Sequence, residues 1–152
     1  MLIAKNRKAL FKHEIIDKYL AGIELKGYEV KAIKEKNVSF EGAYVEIKDG
    51  QTYVNNLHIG KYSKQSQKYE PEQSRRPRRL LLKKEEIRKI KREIDGKGKT
   101  AVPLALLLKH GKIKIEIAVV KGRKKHEKKG ILKKRQAEID LRKEAKQQGI
   151  IV

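Results

Sequence analysis

Apolar residues fall at every second position through Tyr19, Ala21, Ile23 and Leu25, with Lys18, Glu24 and Lys26 between them. That period predicts a strand with one buried face, running over residues 15–26. Gly27 breaks the alternation, and Val30 and Ile33 then sit three apart beside Lys31 and Lys34, as on a short helix that shows its lysines to solvent. Residues 44–48 and 52–57 are two further apolar runs joined through Asp49-Gly50, a pair that tolerates the positive φ of a tight hairpin turn. Residues 100–109 and 112–120 are expected to pair in the same way around His110-Gly111, with Pro103 marking an edge or a bulge.

Between the hairpins, Leu80, Ile87, Ile90 and Ile94 repeat on one helical face. Glu85 and Glu86 come early and basic residues later, which suits the helix dipole. A helix over 80–95, stopped by Gly96 and Gly98, is the expectation. Residues 61–79 read as a long exposed loop, and residues 1–8 as a loose basic arm. About five to six mostly antiparallel strands with two or more short helices fit a small closed barrel of the OB-like kind. The fold class is therefore mainly β with flanking helices.

Charge changes the picture most. The 152 residues hold 40 Lys and Arg against 19 Asp and Glu, a net charge of +21, so a polyanionic partner would relieve strong self-repulsion. Twelve of those cations lie in residues 121–152, against four acids. The apolar residues there scatter around the helical wheel, leaving no face to bury. The chain thus divides into a barrel, 1–120, and a basic tail, 121–152, expected to be disordered when free and helical against a polyanion. Trp and Cys are both absent, which excludes disulfides and thiolate metal sites. No apolar run approaches the roughly 18 residues of a membrane span, and the first residues lack the pattern of a signal peptide. A cytoplasmic protein, monomeric when free and not bound to membranes, is expected.

Candidate catalytic chemistry is thin. His13, His58, His110 and His126 have no zinc-binding spacing, and no paired carboxylates accompany a nucleophile. Gly96-Lys97-Gly98-Lys99-Thr100 resembles part of a phosphate loop, but Glu93 stands where its first glycine should be, and Pro103 follows where a helix should start. No enzyme activity, cofactor or metal is expected. The basic groupings carry more. Arg75-Arg76-Pro77-Arg78-Arg79 concentrates planar guanidinium groups suited to phosphate, with no acid adjacent in sequence. In Leu80-Leu81-Leu82 at least one leucine should escape the core, where it could pack on an unstacked base. Three other classes stay open on residues alone: a generic ribosomal or translation-factor RNA-binding protein, an RNA-processing enzyme and a membrane-surface protein.

These segments together resemble the small protein B (SmpB) family, the tmRNA-binding or SsrA-binding proteins of bacteria. LAGIELKGYEVKAIK, residues 20–34, is similar to its AGIxLxGxEVKS, and Asn6-Arg7-Lys8-Ala9 to its NxKA. Arg76, Arg78-Arg79 and Leu80-Leu81-Leu82 resemble RxRKLLL, and Thr100-Ala101-Val102-Pro103-Leu104 resembles TxVPL. The run from Lys121 to Lys129 resembles KGKKxYDKR, with His126 at its tyrosine. Leu20 replaces the family's acid, Gln73-Ser74 its Asp-Pro, and Glu127-Lys128-Lys129 its DKR. The resemblance implies an OB-like barrel that binds the tRNA-like domain of tmRNA and brings it to stalled ribosomes. It implies tmRNA contacts at Asn6, Lys8, Lys31, Lys34, Arg75, Arg76, Arg78, Arg79 and Leu81. It also implies contacts with small-subunit rRNA near the decoding centre, in the empty mRNA channel, at Lys121, Arg123, Lys124, Lys125, His126, Lys128 and Lys129.

Overall fold

The computed structural model describes residues 1–64, 69–96 and 98–122. Strand β1 (Leu2–Lys5) and helix α1 (Arg7–Lys12) lead into the long strand β2 (His13–Ile23) and helix α2 (Gly27–Lys34). Then come β3 (Val38–Ser39), β4 (Tyr44–Lys48), β5 (Gln51–Asn55) and β6 (His58–Ile59). After a 3-10 turn at Pro71–Gln73 follow β7 (Arg78–Leu81), α3 (Lys84–Ile94), β8 (Lys99–Lys109) and β9 (Lys112–Gly122).

The main sheet has the order β1-β8-β4-β5-β7-β2-β9, and β9 also pairs back to β8. Six strands therefore close into an antiparallel ring, the OB-like barrel expected from the sequence. Beyond the ring, β1 adds to β8, and β3 pairs with β6 as a separate ribbon. Local chemistry explains both hairpins. Asp49 and Gly50 take φ of 51° and 74°, and His110 and Gly111 take the same two values, the positive pair that matches the twist of the flanking strands.

Alternation then decides what lies inside. Tyr19, Ala21 and Ile23 of β2, Val54 of β5, Leu80 of β7 and Ile113, Ile115, Ile117 and Val119 of β9 converge in one core. Ala32 and Ile33 of α2 and Ile90 of α3 join it, so these two helices close the barrel. A second, smaller core forms on the outer side, where α1 lays Ala9 against Val102, Leu104, Ala118 and Val120. This is why β8 reads as an unbroken apolar run: its two faces serve different cores. Pro103 lies where the β8–β9 register shifts, the expected bulge.

Three expectations need correction. Residues 1–8 are not loose: Met1 N and Leu108 O, then Leu108 N and Met1 O, bond at 2.8 Å each, and Ile3 is buried. The helix begins at Lys84 rather than at residue 80. Leu80 is a strand residue instead, held opposite Ile23 on one side and Thr52 on the other, because the gap between β2 and β5 needs a strand to complete the ring. For the same reason the segment 61–79 is not wholly loop, since it holds the 3-10 turn and the first residues of β7.

Helix α3 is pinned to β2 by polar groups as well. Lys89 Nζ lies 2.9 Å from Asp17 Oδ2, and the Tyr19 hydroxyl lies 3.1 Å from Asp17 and 3.0 Å from Glu93. The Lys89 ammonium holds the Asp17 carboxyl below its ordinary range, while burial and the two carboxylates push the Tyr19 phenol up. Ile90, fully buried, supplies the apolar part of the contact. Ile90→Ala is expected to cost about 2–5 kcal/mol, as for other large-to-small core changes. Urea denaturation measures it, and a loss below about 0.5 kcal/mol would show that α3 is not part of the barrel core.

Candidate nucleic-acid interface

Helix α2 begins without a side-chain cap of the usual kind. Instead Glu29, in its first turn, reaches back so that Lys26 N donates to its Oε1 at 2.9 Å. The same carboxylate is buried and faces β7. Its Oε2 accepts from Arg78 Nε at 2.7 Å and lies 2.6 Å from Nη2, while its Oε1 pairs with Arg76 Nη2. Arg78 completes its donors on backbone oxygens, from Nη1 to Leu57 O at 2.6 Å and from Nη2 to Ser74 O at 3.0 Å. Burial pushes the Glu29 carboxyl up, but the Lys26 amide and the two guanidinium groups outweigh it and hold the carboxyl below its ordinary value.

This corrects the reading of the arginine segment. Arg78 is 1% exposed, so its guanidinium is not offered to an RNA phosphate. Arg76 keeps a quarter of its side chain exposed but is tied to the same carboxylate. The acid that is missing nearby in sequence comes from α2, through the fold. Arg75 and Arg79 remain on the surface. Arg75 Nη1 donates to Glu41 O and to Asn56 O, both at 3.2 Å, and Arg79 Nε donates to Gln51 Oε1 at 3.1 Å.

Leu81 is half exposed, as the leucine triplet implied. It lies opposite Gly22 of β2, where a Cβ would come within 3.2 Å of Leu81 Cβ, so the glycine lets the leucine lie flat across the strand. Leu20, two residues back on the same face of β2, is 40% exposed. The pair forms an apolar strip bordered on β9 by Lys114, opposite Gly22, and by Glu116, opposite Leu20. In the sequence Leu20 stands out only as a departure from the family's acid. The signal available was its even position in an alternating strand, which puts it on the solvent face.

The other expected residues divide. Lys31 and Lys34 are exposed on α2, with Lys31 Nζ 5.3 Å from the centre of the Tyr62 ring. Lys8 is exposed on α1. Asn6 is engaged by the fold: its Oδ1 accepts from Ala9 N at 3.2 Å and its Nδ2 donates to Pro103 O at 2.8 Å. Lys121 is exposed at the end of β9, opposite Glu14 and Lys99. Arg123, Lys124, Lys125, His126, Lys128 and Lys129, with the order expected of the tail, lie outside the described residues. Among the described residues no group of three His, Asp or Glu could hold a metal ion, and no helix is long and apolar enough to cross a membrane.

The family model for SmpB protein matches residues 3–147. The chain belongs to the SmpB family. Within that family it is 42% identical over 149 residues to the SsrA-binding protein of Treponema denticola, covering 97% of this chain and 95% of that one. It is 43% identical over 147 residues to the SsrA-binding protein of Elusimicrobium minutum, covering 96% and 92%. A solved SmpB structure, described as "tmRNA-SmpB: a journey to the center of the bacterial ribosome", superposes with a TM-score of 0.68 at 37% identity, covering 82% of this chain and 87% of that one.

The Glu29 cluster gives a pH prediction. A carboxyl held below its ordinary 4.5 stabilises the fold fully above that value, and this stabilisation disappears as pH falls through the lower folded value. Glu29→Gln leaves Arg78 buried without its counter-charge and is expected to cost about 3–5 kcal/mol near neutral pH. Urea denaturation in steps from neutral pH to about pH 2.5 should also show a shallower acid limb for the variant. An acid limb as steep as that of the parent would contradict the assignment.

Proposed function

We propose that this chain binds tmRNA in trans-translation, through the tRNA-like domain, and escorts it to ribosomes stalled without a usable codon. The observation that carries the reading is the SmpB family match, which spans the barrel and continues into the basic tail as far as residue 147. The physical fit is direct. RNA with a folded, tRNA-like shape is read by its backbone and by its unstacked bases. The barrel presents cations for the first (Lys31, Lys34, Arg75 and Arg79) and the Leu20–Leu81 strip for the second.

The unit division at residues 120–121 belongs to the same proposal. The tail acts separately, lying in the empty mRNA channel near the decoding centre, where rRNA phosphates neutralise Lys124, Lys125, Lys128 and Lys129, and His126 stacks on a base. The protein works in the cytoplasm as a binding protein, by contact and placement rather than by bond chemistry. The second reading, a generic ribosomal or translation-factor RNA-binding protein without tmRNA specificity, is favoured by the +21 charge alone, which attracts any RNA.

Sequencing the RNA that copurifies with the protein separates the two. Strong enrichment of tmRNA is expected, and rRNA without tmRNA would overturn the proposal. Leu81→Asn is then expected to weaken binding of the tRNA-like domain about tenfold, or 1.4 kcal/mol. His126→Ala should leave that affinity within about twofold while lowering tagging on stalled ribosomes. Equal losses of both activities in both variants would refute the division of labour.

A further inference from the structure

Next to the leucine strip, on the Arg79 side, the outer face opens into a cleft of about 390 Å³ between the end of β2, the outward side of β5 and the approach to β7. Its apolar walls are Leu25, Tyr53 and Pro77, and its polar groups include Glu24, Lys26 and Arg79. Tyr53 and Arg79 are direct cross-strand partners in the β5–β7 ladder, so ring and guanidinium stand side by side on one face. Arg79 is held in place from two directions. Gln51 accepts from its Nε at 3.1 Å, and Glu24 Oε1 lies 3.6 Å from its Nη1.

We propose that this cleft takes up one unstacked guanine nucleotide of the bound RNA. The volume is near the small end of ligand clefts, about 300–1,000 Å³, which suits one nucleotide rather than a stacked pair. Tyr53 and Pro77 offer a flat apolar seat for a base, and Lys26 supplies a cation for its phosphate. The carboxylate sets the choice of base. Glu24 can accept two neighbouring N–H donors, and among the four bases guanine alone presents two side by side on its Watson–Crick edge, at N1 and N2. Adenine and cytosine offer one amino group beside an acceptor, and uracil one N–H between two carbonyls.

The proposal rests on the RNA-binding reading of this face, but the test separates them. The full chain, labelled with nitrogen-15, is titrated with GMP, AMP, CMP and UMP while amide resonances are followed. GMP is expected to move the amides of Glu24, Lys26, Tyr53 and Arg79 and to bind at least about fivefold more tightly than the other three. Glu24→Gln, a surface change, should remove the preference while weak binding persists, and Tyr53→Ala should weaken all four. If GMP leaves these amides unmoved, or binds no better than the other nucleotides, the guanine cleft is wrong. Binding of the tRNA-like domain, measured alongside, decides the broader function independently: its retention when GMP fails leaves that function standing and overturns only the cleft.

Discussion

A single buried carboxylate, Glu29, has three jobs that the rest of the surface depends on. It starts α2 by accepting from Lys26 N, it neutralises Arg78 inside the fold, and it fixes Arg76. A charge buried without a partner would cost several kcal/mol, and a lone pair of buried ions often does no better than break even. Here every side of Arg78 is met, by the carboxylate and by the backbone oxygens of Leu57 and Ser74, so Arg78 is fully satisfied rather than held by a bare ion pair, while Arg76 Nε beside it is buried without a partner. The consequence is a sorting of four arginines: Arg76 and Arg78 are tied to Glu29, while Arg75 and Arg79 stay exposed on the surface.

The barrel supplies the rigid frame on which that sorting matters. Six strands leave no open edge in the ring, and α2 and α3 contribute to the same core as the strands. Strand β8 borders two cores at once, which ties α1 to the barrel although α1 lies outside it. The leucine strip, the arginine pair and the lysines of α2 therefore keep their spacing without help from a ligand. Such preorganisation lowers the ordering cost of binding, and it suits recognition of an RNA by shape.

What was legible in the sequence was local. The Asp49-Gly50 and His110-Gly111 turns, the alternation in β2, and the period of α3 from Ile87 onward all express short-range rules, and the structure follows them. What was not legible depended on partners distant in the chain. Leu80 fits a helical stripe, yet it becomes a strand residue because β2 and β5 need a neighbour. Arg78 looks like a ligand for phosphate until α2 brings Glu29 beside it. Asn6 bonds to Ala9 N and to Pro103 O, and the second of these partners lies 97 residues away in the chain. Leu81 was readable as an escaping leucine, while the exposure of its companion Leu20 could be read only from its even position in the alternating strand β2.

The most direct measurement is the salt dependence of affinity for the tRNA-like domain, taken together with stability, for Arg78→Ala and Arg79→Ala. Removing one cation that neutralises a phosphate should reduce the slope of log K against log salt by roughly 0.7–0.9. Arg79→Ala is predicted to show that reduction with its unfolding midpoint unchanged. Arg78→Ala is predicted to lose stability while its slope, measured where it is still folded, stays that of the parent. An Arg78→Ala protein as stable as the parent but with the reduced slope would contradict the account.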